Sequence, residues 1–330
     1  MRQHSLTSAA HDVEPLMPAR TRFAGQPIDV SSRRSIQLAN TNGSSVDLSA
    51  EAAEVVIDYF RHADQFWRAV LPIGAVRDVR GQVFNFSRPR MRQGPDGPEV
   101  MRSPDGVPRR RIPILNHLQT RFTIDPDQPM RLYKLGAAID ESPVHQLDDF
   151  VYSVEAIGPV AATFNLYDAV FGNLVSAHRF LSTEQMVFER VVVENQFVVE
   201  SPALPVKVED ARELLRWSLR RSNRAGMKER YYLYRPCGTN NCTSNPFKIL
   251  DSVVDYTRSQ RLGALLYRLP LNPRFYLRIR GLDTNPNVRF SLRDEFSEFV
   301  NNPSTQQRKR QYVRLQIAAR RKTRDTKRRR

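Results

Sequence analysis

The sequence predicts an α+β domain in which helices accompany a set of short strands. Apolar residues recur at helical spacing in three segments, while apolar and polar residues alternate in several others. These segments follow one another in the order helix, strands, helix and a second helix that begins at a cysteine. The 330 residues are 40% hydrophobic, which is enough to bury a sizeable core.

Two segments precede the predicted domain. Residues 1–46 are polar and irregular, and we expect them to form a mobile arm. Residues 47–72 are predicted to form an amphipathic helix, with Ser49 as its N-cap and Leu71-Pro72 as its end. The apolar residues that recur at helical spacing in this segment are Val55, Val56, Tyr59, Phe60, Phe66 and Trp67.

Residues 73–301 are predicted to form the α+β domain itself, with an antiparallel sheet. Short alternating runs bounded by glycine and proline indicate the strands, and a return to helical spacing indicates the helices. Strands are expected at 76–86, 118–124 and 150–157, with one or two more within 187–199. Helices are expected at 208–220 and 242–256.

The positive charge is concentrated at the C-terminal end. The net charge is +16, and residues 308–330 contribute about +11 of it, from twelve Lys or Arg against Asp325. We therefore interpret residues 302–330 as a basic tail that contacts nucleic acid, another polyanion or an anionic membrane surface, the alternative being a solvated, disordered tail. The residues assigned to this contact are Arg308, Lys309, Arg310, Arg320, Arg321, Lys322, Arg328, Arg329 and Arg330.

The cysteine count excludes several classes of protein. Cys237 and Cys242 are the two cysteines of the chain, too few for a disulfide scaffold and without the spacing of zinc ligands. We expect no metal and no cofactor. A disulfide between the two cysteines and thiolate chemistry at Cys242 exclude each other, and both remain open.

No apolar run reaches the roughly 18 residues of a membrane span, and the N-terminus lacks a signal-peptide pattern, so the chain as written is expected to be cytoplasmic.

The segment around Cys242 predicts a nucleophilic thiol. Asn-Asn-Cys-Thr breaks regular structure, and helical spacing begins immediately afterwards, so Cys242 is placed at a helix N-terminus. The helix dipole there lowers a thiol pKa from about 8.5, and free amides near Asn241 and Thr243 are able to hold an oxyanion. The alternative is that Cys242 is a small buried residue of the core.

A thiol nucleophile requires a base, and two histidines are candidates. His117 opens a predicted strand and is the first choice, while His145 lies in a polar loop and is the alternative. Glu155 stands between apolar residues in another predicted strand, where its burial requires a partner. We expect Glu155 to orient the histidine ring.

These residues resemble a known family. The chain is similar to the Lnb-like N-terminal domain, whose members look like circularly permuted NlpC-type papain-like folds, and the resemblance covers about residues 70–260. It is carried by Ile73-Gly-Ala-Val-Arg-Asp-Val-Arg80, Leu115-Asn-His117-Leu-Gln-Thr-Arg-Phe122, Val151-Tyr-Ser-Val-Glu155-Ala and Asn240-Asn-Cys242-Thr.

The resemblance implies Cys242 as nucleophile, His117 as base and Glu155 as orienting group. It also implies hydrolysis or transfer of an acyl group from an amide, ester or thioester, with a lipid, lipoprotein or peptide as substrate. Relatives of this kind are often exported. The alternative function is that of a non-catalytic binding or structural protein, whose basic tail contacts nucleic acid or another polyanion.

Overall fold

The computed structural model has a mixed α+β fold built on one large, mostly antiparallel sheet. The described residues are 14–39, 48, 53–104, 106–113, 115–139, 141–160, 162, 164–235, 238–263, 272–283, 285 and 289–328. Within them, no helix is both long and apolar enough to cross a membrane.

The strands are β1 (Gln37–Leu38), β2 (Glu54–His62), β3 (Gln65–Pro72), β4 (Val76–Asn85), β5 (Met91–Gly94), β6 (Gly97–Val100), β7 (Asn116–Ile124), β8 (Met130–Lys134), β9 (His145–Leu147), β10 (Asp149–Ile157), β11 (Leu174–Ser182), β12 (Val199–Glu200), β13 (Arg230–Tyr231) and β14 (Phe290–Ser291). The helices are α1 (Leu166–Val170), α2 (Thr183–Val187), α3 (Val208–Ala225), α4 (Ser244–Val253), α5 (Arg258–Gly263), α6 (Pro273–Ile279), α7 (Leu292–Glu295), α8 (Ser297–Asn301) and α9 (Pro303–Arg328). A π-helical segment, Phe188–Val193, continues α2.

The main sheet runs in the order β14-β12-β4-β7-β10-β11-β2-β3-β8-β9, with β1 beside β2 and β13 beside β11. Its pairs are antiparallel except for β11 and β2, which lie parallel at Leu181 and Arg61. Alternation along β10 sends Phe150, Tyr152 and Val154 into the larger core, which α3 and α4 cover. Val151 points into a second core beneath α2 and the π-helical segment. The sheet is therefore covered by helices on both faces.

The predicted helix over residues 47–72 is wrong, because β2 and β3 form a hairpin there. Its turn places Ala63 and Asp64 at φ 47° and 62°, the left-handed region that tight hairpin turns require. A register shift between Ile57 and Phe60 interrupts the strand alternation. That irregularity spaces the apolar residues as a helix would, which explains the error. Ser49 lies outside the described residues.

The mobile arm predicted over residues 1–46 is also wrong for the part that the structure describes. Met17, Ile28 and Ile36 are buried, and Ile28 pairs with Pro159. β1 adds to the sheet beside β2. The scattered apolar residues of this segment thus cover the core instead of remaining in solvent, whereas residues 1–13 and 40–47 lie outside the described part.

Several predicted elements are confirmed, namely β4, β7, β10, α3 and the helix that begins just after Cys242. The strands expected within 187–199 are wrong apart from the short β12, because α2 and the π-helical segment fill most of that range. Ser182 caps α2 by accepting a hydrogen bond from the Gln185 amide, which starts a helix despite the valines that follow.

Residues 303–328 of the predicted tail form the long helix α9. Thr305 is buried, and the Tyr312 ring meets the Phe188 ring edge-on with 5.8 Å between centroids. The start of α9 is therefore packed against the π-helical segment.

Candidate functional site

The turn before α4 is organised by the side chain of Asn241. Its Oδ1 accepts hydrogen bonds from the backbone amides of Thr243 and Ser244, at 2.9 and 2.7 Å. Its Nδ2 donates to the Leu233 carbonyl at 2.8 Å. Asn241 therefore caps the helix and occupies two of the amides that were expected to hold an oxyanion. This arrangement fixes Cys242 immediately before the first turn of α4.

Cys242 is a free thiol, buried with 2% of its surface exposed. The Tyr231 hydroxyl donates to its Sγ at 3.6 Å, and the backbone amide of Cys242 donates to the same hydroxyl oxygen at 3.5 Å. The thiol itself faces the Asn116 carbonyl oxygen at 3.7 Å. Cys237, the other half of the disulfide alternative, lies outside the described residues.

Burial raises the pKa of the Cys242 thiol. Hydrogen bonds from the Tyr231 hydroxyl and the Leu118 amide favour the thiolate, but they do not offset the loss of hydration. The expectation that the helix start lowers this pKa is therefore wrong for the structure as it stands. The thiol is held as a neutral group at physiological pH.

His117 lies on β7, between the two residues whose backbone faces the sulfur. Its Nε2 is 2.9 Å from the Ser153 hydroxyl, and its ring stacks on Phe84 with 4.8 Å between centroids. Burial, assisted by the charge of Arg190, lowers the pKa of His117 to about 3, so the ring is neutral. His117 and Cys242 are not hydrogen-bonded to each other, and the Nε2 of His117 is bonded to Ser153 instead.

Glu155 is buried among arginines. Its carboxylate accepts from Arg179 at 2.7 Å, and ion pairs with Arg190 at 2.6 Å and with Arg33 at 2.9 Å. Burial disfavours the charge, but Arg179 and Arg190 outweigh it and hold the pKa of Glu155 well below its usual range. Glu155 and His117 interact electrostatically without a hydrogen bond between them. Glu155 thus lies near His117, but its carboxylate oxygens are paired with arginines and not with the histidine ring.

His145, the alternative base, lies at the other end of the sheet. It is on β9, where its ring meets those of His62 and Trp67 at 4.8 and 4.9 Å between centroids. The chain passes from β9 to Asp148, whose carbonyl accepts from the Ile124 amide at the end of β7. Cys242 contacts the beginning of β7, a nine-residue strand, and such a strand spans roughly 26 Å. The structure does not bring His145 to Cys242.

Sequence reasoning missed two groups that shape the site, the Tyr231 hydroxyl and the Ser153 hydroxyl. Tyr231 reaches the sulfur because β13 pairs with β11, at Leu174. Ser153 reaches His117 because β10 pairs with β7. Neither pairing has a local signal, so composition and spacing could not reveal these contacts.

A further buried histidine, His178, bonds Tyr152 through Nδ1 at 2.7 Å and leaves Nε2 without a hydrogen-bond partner.

A cavity of about 280 Å³ adjoins the beginning of β7. Asn116 and Phe84 line it, together with the guanidinium-bearing residues Arg110 and Arg274. Asn116 contacts the Cys242 sulfur through its carbonyl, and Phe84 stacks on His117. Asn116 therefore lies between the cavity and the Cys242 sulfur, and Phe84 lies between the cavity and the His117 ring. Among the described residues, no cluster of His, Cys, Asp or Glu could hold a metal ion.

Arg308, the first of the residues assigned to polyanion binding, is bonded to the rest of the fold. Arg308 donates to Asp64 at 2.7 Å and to Gln185 at 2.6 Å, and its guanidinium lies 3.8 Å from the centre of the Phe188 ring. Arg308 therefore holds α9 against the rest of the fold. The remaining assigned residues up to 328 continue along α9, while 329 and 330 lie outside the described part.

Comparison of the chain with family models, curated proteins and solved structures gives no match.

Proposed function

We propose that this protein is a cysteine-dependent hydrolase or acyltransferase, with Cys242 as the nucleophile in a permuted papain-like arrangement of the kind found in Lnb-like domains. The observation that supports it best is the position of the free thiol. Cys242 stands at the start of α4 and contacts β7 on both sides of His117, through the Asn116 carbonyl and the Leu118 amide. The chain order, histidine strand before cysteine helix, is that of the permuted family.

In this proposal the Cys242 sulfur attacks the carbonyl carbon of an amide, ester or thioester. The S–C bond forms while His117 accepts the thiol proton, and His117 returns that proton to the leaving group as the acyl bond breaks. Water or a second acceptor then attacks the acyl-thioester, which releases the acyl group and restores the thiol. His117 must turn from Ser153 for this step, and its neutral ring has a lone pair to accept the proton.

The proposal assigns stabilisation of the oxyanion to the Tyr231 hydroxyl and the Cys242 amide. The hydroxyl donates to the sulfur and accepts from the amide, so both donors exchange these partners for the oxyanion when it forms. The amides of Thr243 and Ser244 are occupied by Asn241, and the proposal assigns them a structural role. Glu155 acts through its charge, which favours the imidazolium that forms on His117, and its oxygens remain with Arg179 and Arg190.

The substrate proposed is an acyl-bearing lipid, lipoprotein or peptide. A thiol-reactive acyl probe tests the nucleophile directly, in a Cys237→Ser background that leaves Cys242 as the thiol to be labelled. We expect labelling in this background, none in Cys242→Ala, and a loss of about a hundredfold or more in His117→Gln, the usual contribution of a general base.

His145→Gln is the matched control, because His145 is the other candidate base and lies at the far end of β7. It should be labelled as fast as the parent protein. Full labelling of His117→Gln at neutral pH would overturn the assignment of His117. An unreactive Cys242 in a folded parent protein would overturn the enzyme proposal itself.

A second function is supported by α9, a continuous helix through Arg328 whose sequence is strongly basic. We propose that its distal half binds nucleic acid or another polyanion through phosphate contacts. Filter binding across a salt series, with Arg320→Gln/Arg321→Gln/Lys322→Gln as the variant, measures this. Three lost contacts should lower the salt slope by about 2–3, and an unchanged slope would exclude this part of the helix.

A further inference from the structure

Helix α1 and its flanks expose a group of large apolar side chains. Phe164, Leu166, Tyr167 and Phe171 are 46%, 45%, 60% and 57% exposed, and we call these four residues the α1 patch. Tyr167 and Phe171 touch each other, with 4.5 Å between ring centroids. Large apolar side chains exposed together on one short segment commonly mark an interaction surface.

The α1 patch is exposed because the helix is anchored by its small and acidic residues. Ala169 and Asp168 are buried beneath it. The Asp168 carboxylate accepts from Arg22 at 2.6 Å and from Asn173 at 3.2 Å, and Asn165 caps the helix. With Asp168 fixed inward, the large side chains on either side of it are held outward on a rigid support.

Arginines lie beside the α1 patch. Arg230 donates to the carbonyl oxygens of Phe171 and Gly172, at 3.0 and 2.6 Å. The guanidiniums of Arg230 and Arg235 each lie 5.0 Å from the centre of the Tyr232 ring, which packs against Gly172. The charge of Asp168 is matched by Arg22, so Arg230 and Arg235 leave this surface positive.

We propose that the α1 patch docks on an anionic lipid bilayer, with Tyr167 and Phe171 inserted at headgroup level and Arg235 facing lipid phosphates. Exposed aromatic side chains beside arginines suit the bilayer interface, where one end of each group is apolar and the other is wet. The two arginines make this surface complementary in charge to lipid phosphates, which favours an anionic bilayer as the occupant. The proposal does not depend on the chemistry of Cys242.

Docking there would also orient the thiol site. The Leu233 amide donates to the Ala169 carbonyl at 2.9 Å, so α1 is bonded directly to the segment that follows Tyr231. A bilayer held by the α1 patch therefore lies on the side of the molecule where β13 leads into the turn of Cys242.

Vesicle co-sedimentation tests the proposal with the full chain. The vesicles are phosphatidylcholine alone, or phosphatidylcholine with about a third phosphatidylglycerol. Tyr167→Ser/Phe171→Ser should lower partitioning onto the anionic vesicles by roughly tenfold or more, because each ring transfers apolar surface out of water. Arg235→Gln should reduce the preference for anionic over neutral vesicles without removing binding.

Two controls separate this surface from general stickiness and from the basic tail. Trp217→Ser removes an aromatic side chain of similar exposure, 43%, on α3 outside the α1 patch, and should bind as the parent protein does. Repeating the assay at high salt screens attraction by the tail, and the loss in Tyr167→Ser/Phe171→Ser should persist there. Unchanged melting temperatures check that each variant is folded.

A Tyr167→Trp variant gives an independent readout, since an inserted indole shifts its fluorescence to the blue when anionic vesicles are added. Equal binding by the parent and Tyr167→Ser/Phe171→Ser, or an equal loss in Trp217→Ser, would overturn the proposal. A parent protein that binds neither kind of vesicle would overturn it as well. If that protein instead forms a dimer that is lost in Tyr167→Ser/Phe171→Ser, the α1 patch is a contact between copies of the chain.

Discussion

Two buried polar clusters lie close together in the sheet, and they differ in how their polar groups are satisfied. Around Glu155, full charges meet at 2.6 to 2.9 Å, with Arg179, Glu189 and Arg190 completing the cluster. Around Cys242, neutral groups meet at 3.5 to 3.7 Å. Ion pairs between compensated buried charges are costly to break, whereas hydrogen bonds to a thiol are weak and intrinsically long because sulfur is large. The contrast indicates a structural ionic cluster beside a thiol that is held only by weak hydrogen bonds.

The largest effect is expected from Glu155→Gln. Neutralising this carboxylate leaves Arg179 and Arg190 with an uncompensated buried charge, and breaking a buried pair in this way costs about 3–5 kcal/mol. Urea denaturation measures the free energy of unfolding. Glu99→Gln is the control, because the Arg92–Glu99 pair is exposed and should contribute less than about 1 kcal/mol.

The same variant decides which description of Glu155 is correct. If Glu155→Gln keeps nearly its full free energy of unfolding and loses only labelling of Cys242, Glu155 is an orienting group for His117 and not a structural anion.

The next effect is on stability in acid. Folding lowers the pKa of His117 from an ordinary 6.5 to about 3. Between these two values, His117 is protonated in the unfolded chain and neutral in the folded chain. The contribution of His117 to stability is therefore fully present above pH 6.5 and is lost as the pH falls towards 3. At pH 4 the loss from this one group is about 3 kcal/mol.

His117→Gln should remove that part of the pH dependence. Denaturant unfolding of the parent and the variant at pH 7 and pH 4 gives the difference. Parallel losses in the two proteins would show that His117 does not titrate with a lowered pKa.

A smaller effect is expected from Tyr231→Phe. The hydroxyl donates to the sulfur and so favours the thiolate, and its removal should raise the thiol pKa further. A neutral hydrogen bond of about 1 kcal/mol corresponds to a roughly fivefold slower alkylation of Cys242 by iodoacetamide at a fixed alkaline pH. Tyr232→Phe in the same Cys237→Ser background is the control. If Cys242 is alkylated at the same rate in Tyr232→Phe and Tyr231→Phe, the Tyr231 hydroxyl does not act on the thiol.

The smallest effect is expected from Ser153→Ala, which deletes the hydroxyl bonded to His117. The free energy of unfolding should fall by about 0.5–1.5 kcal/mol, the ordinary contribution of such a bond. Under the proposed function, labelling of Cys242 should not slow, because the ring is released and not removed. A loss of labelling as large as that of His117→Gln would make Ser153 part of the proton path.

The elements that could be predicted from sequence are those with an uninterrupted pattern. β7 and β10 pair in an unbroken register, β4 does so after a shift between Val76 and Asp78, and α3 keeps one apolar face, so each is evident locally. The β2–β3 hairpin was predicted as a helix because a register shift after Ile57 changes its alternation. The π-helical segment is rich in valine, so its residues favour a strand locally, and burial against the sheet decides the outcome.

The site divides in the same way. The place of Cys242 just before a helix follows from local breakers and spacing, and the structure confirms it. The burial of its thiol depends on β7 and β13, which come from distant parts of the chain, and so the direction of its pKa shift could not be predicted. The catalytic roles of Cys242, His117 and Glu155 stay predictions.

The π-helical segment is also where the two ends of the described chain meet. Arg33, from the N-terminal segment, pairs with Glu155 and Glu194, and Tyr312 of α9 packs on Phe188. Contacts between such distant positions close a long loop of the chain, and closing it costs conformational entropy that the contacts must offset. Both ends of the described chain therefore cover the same surface, and a break in either end would open it.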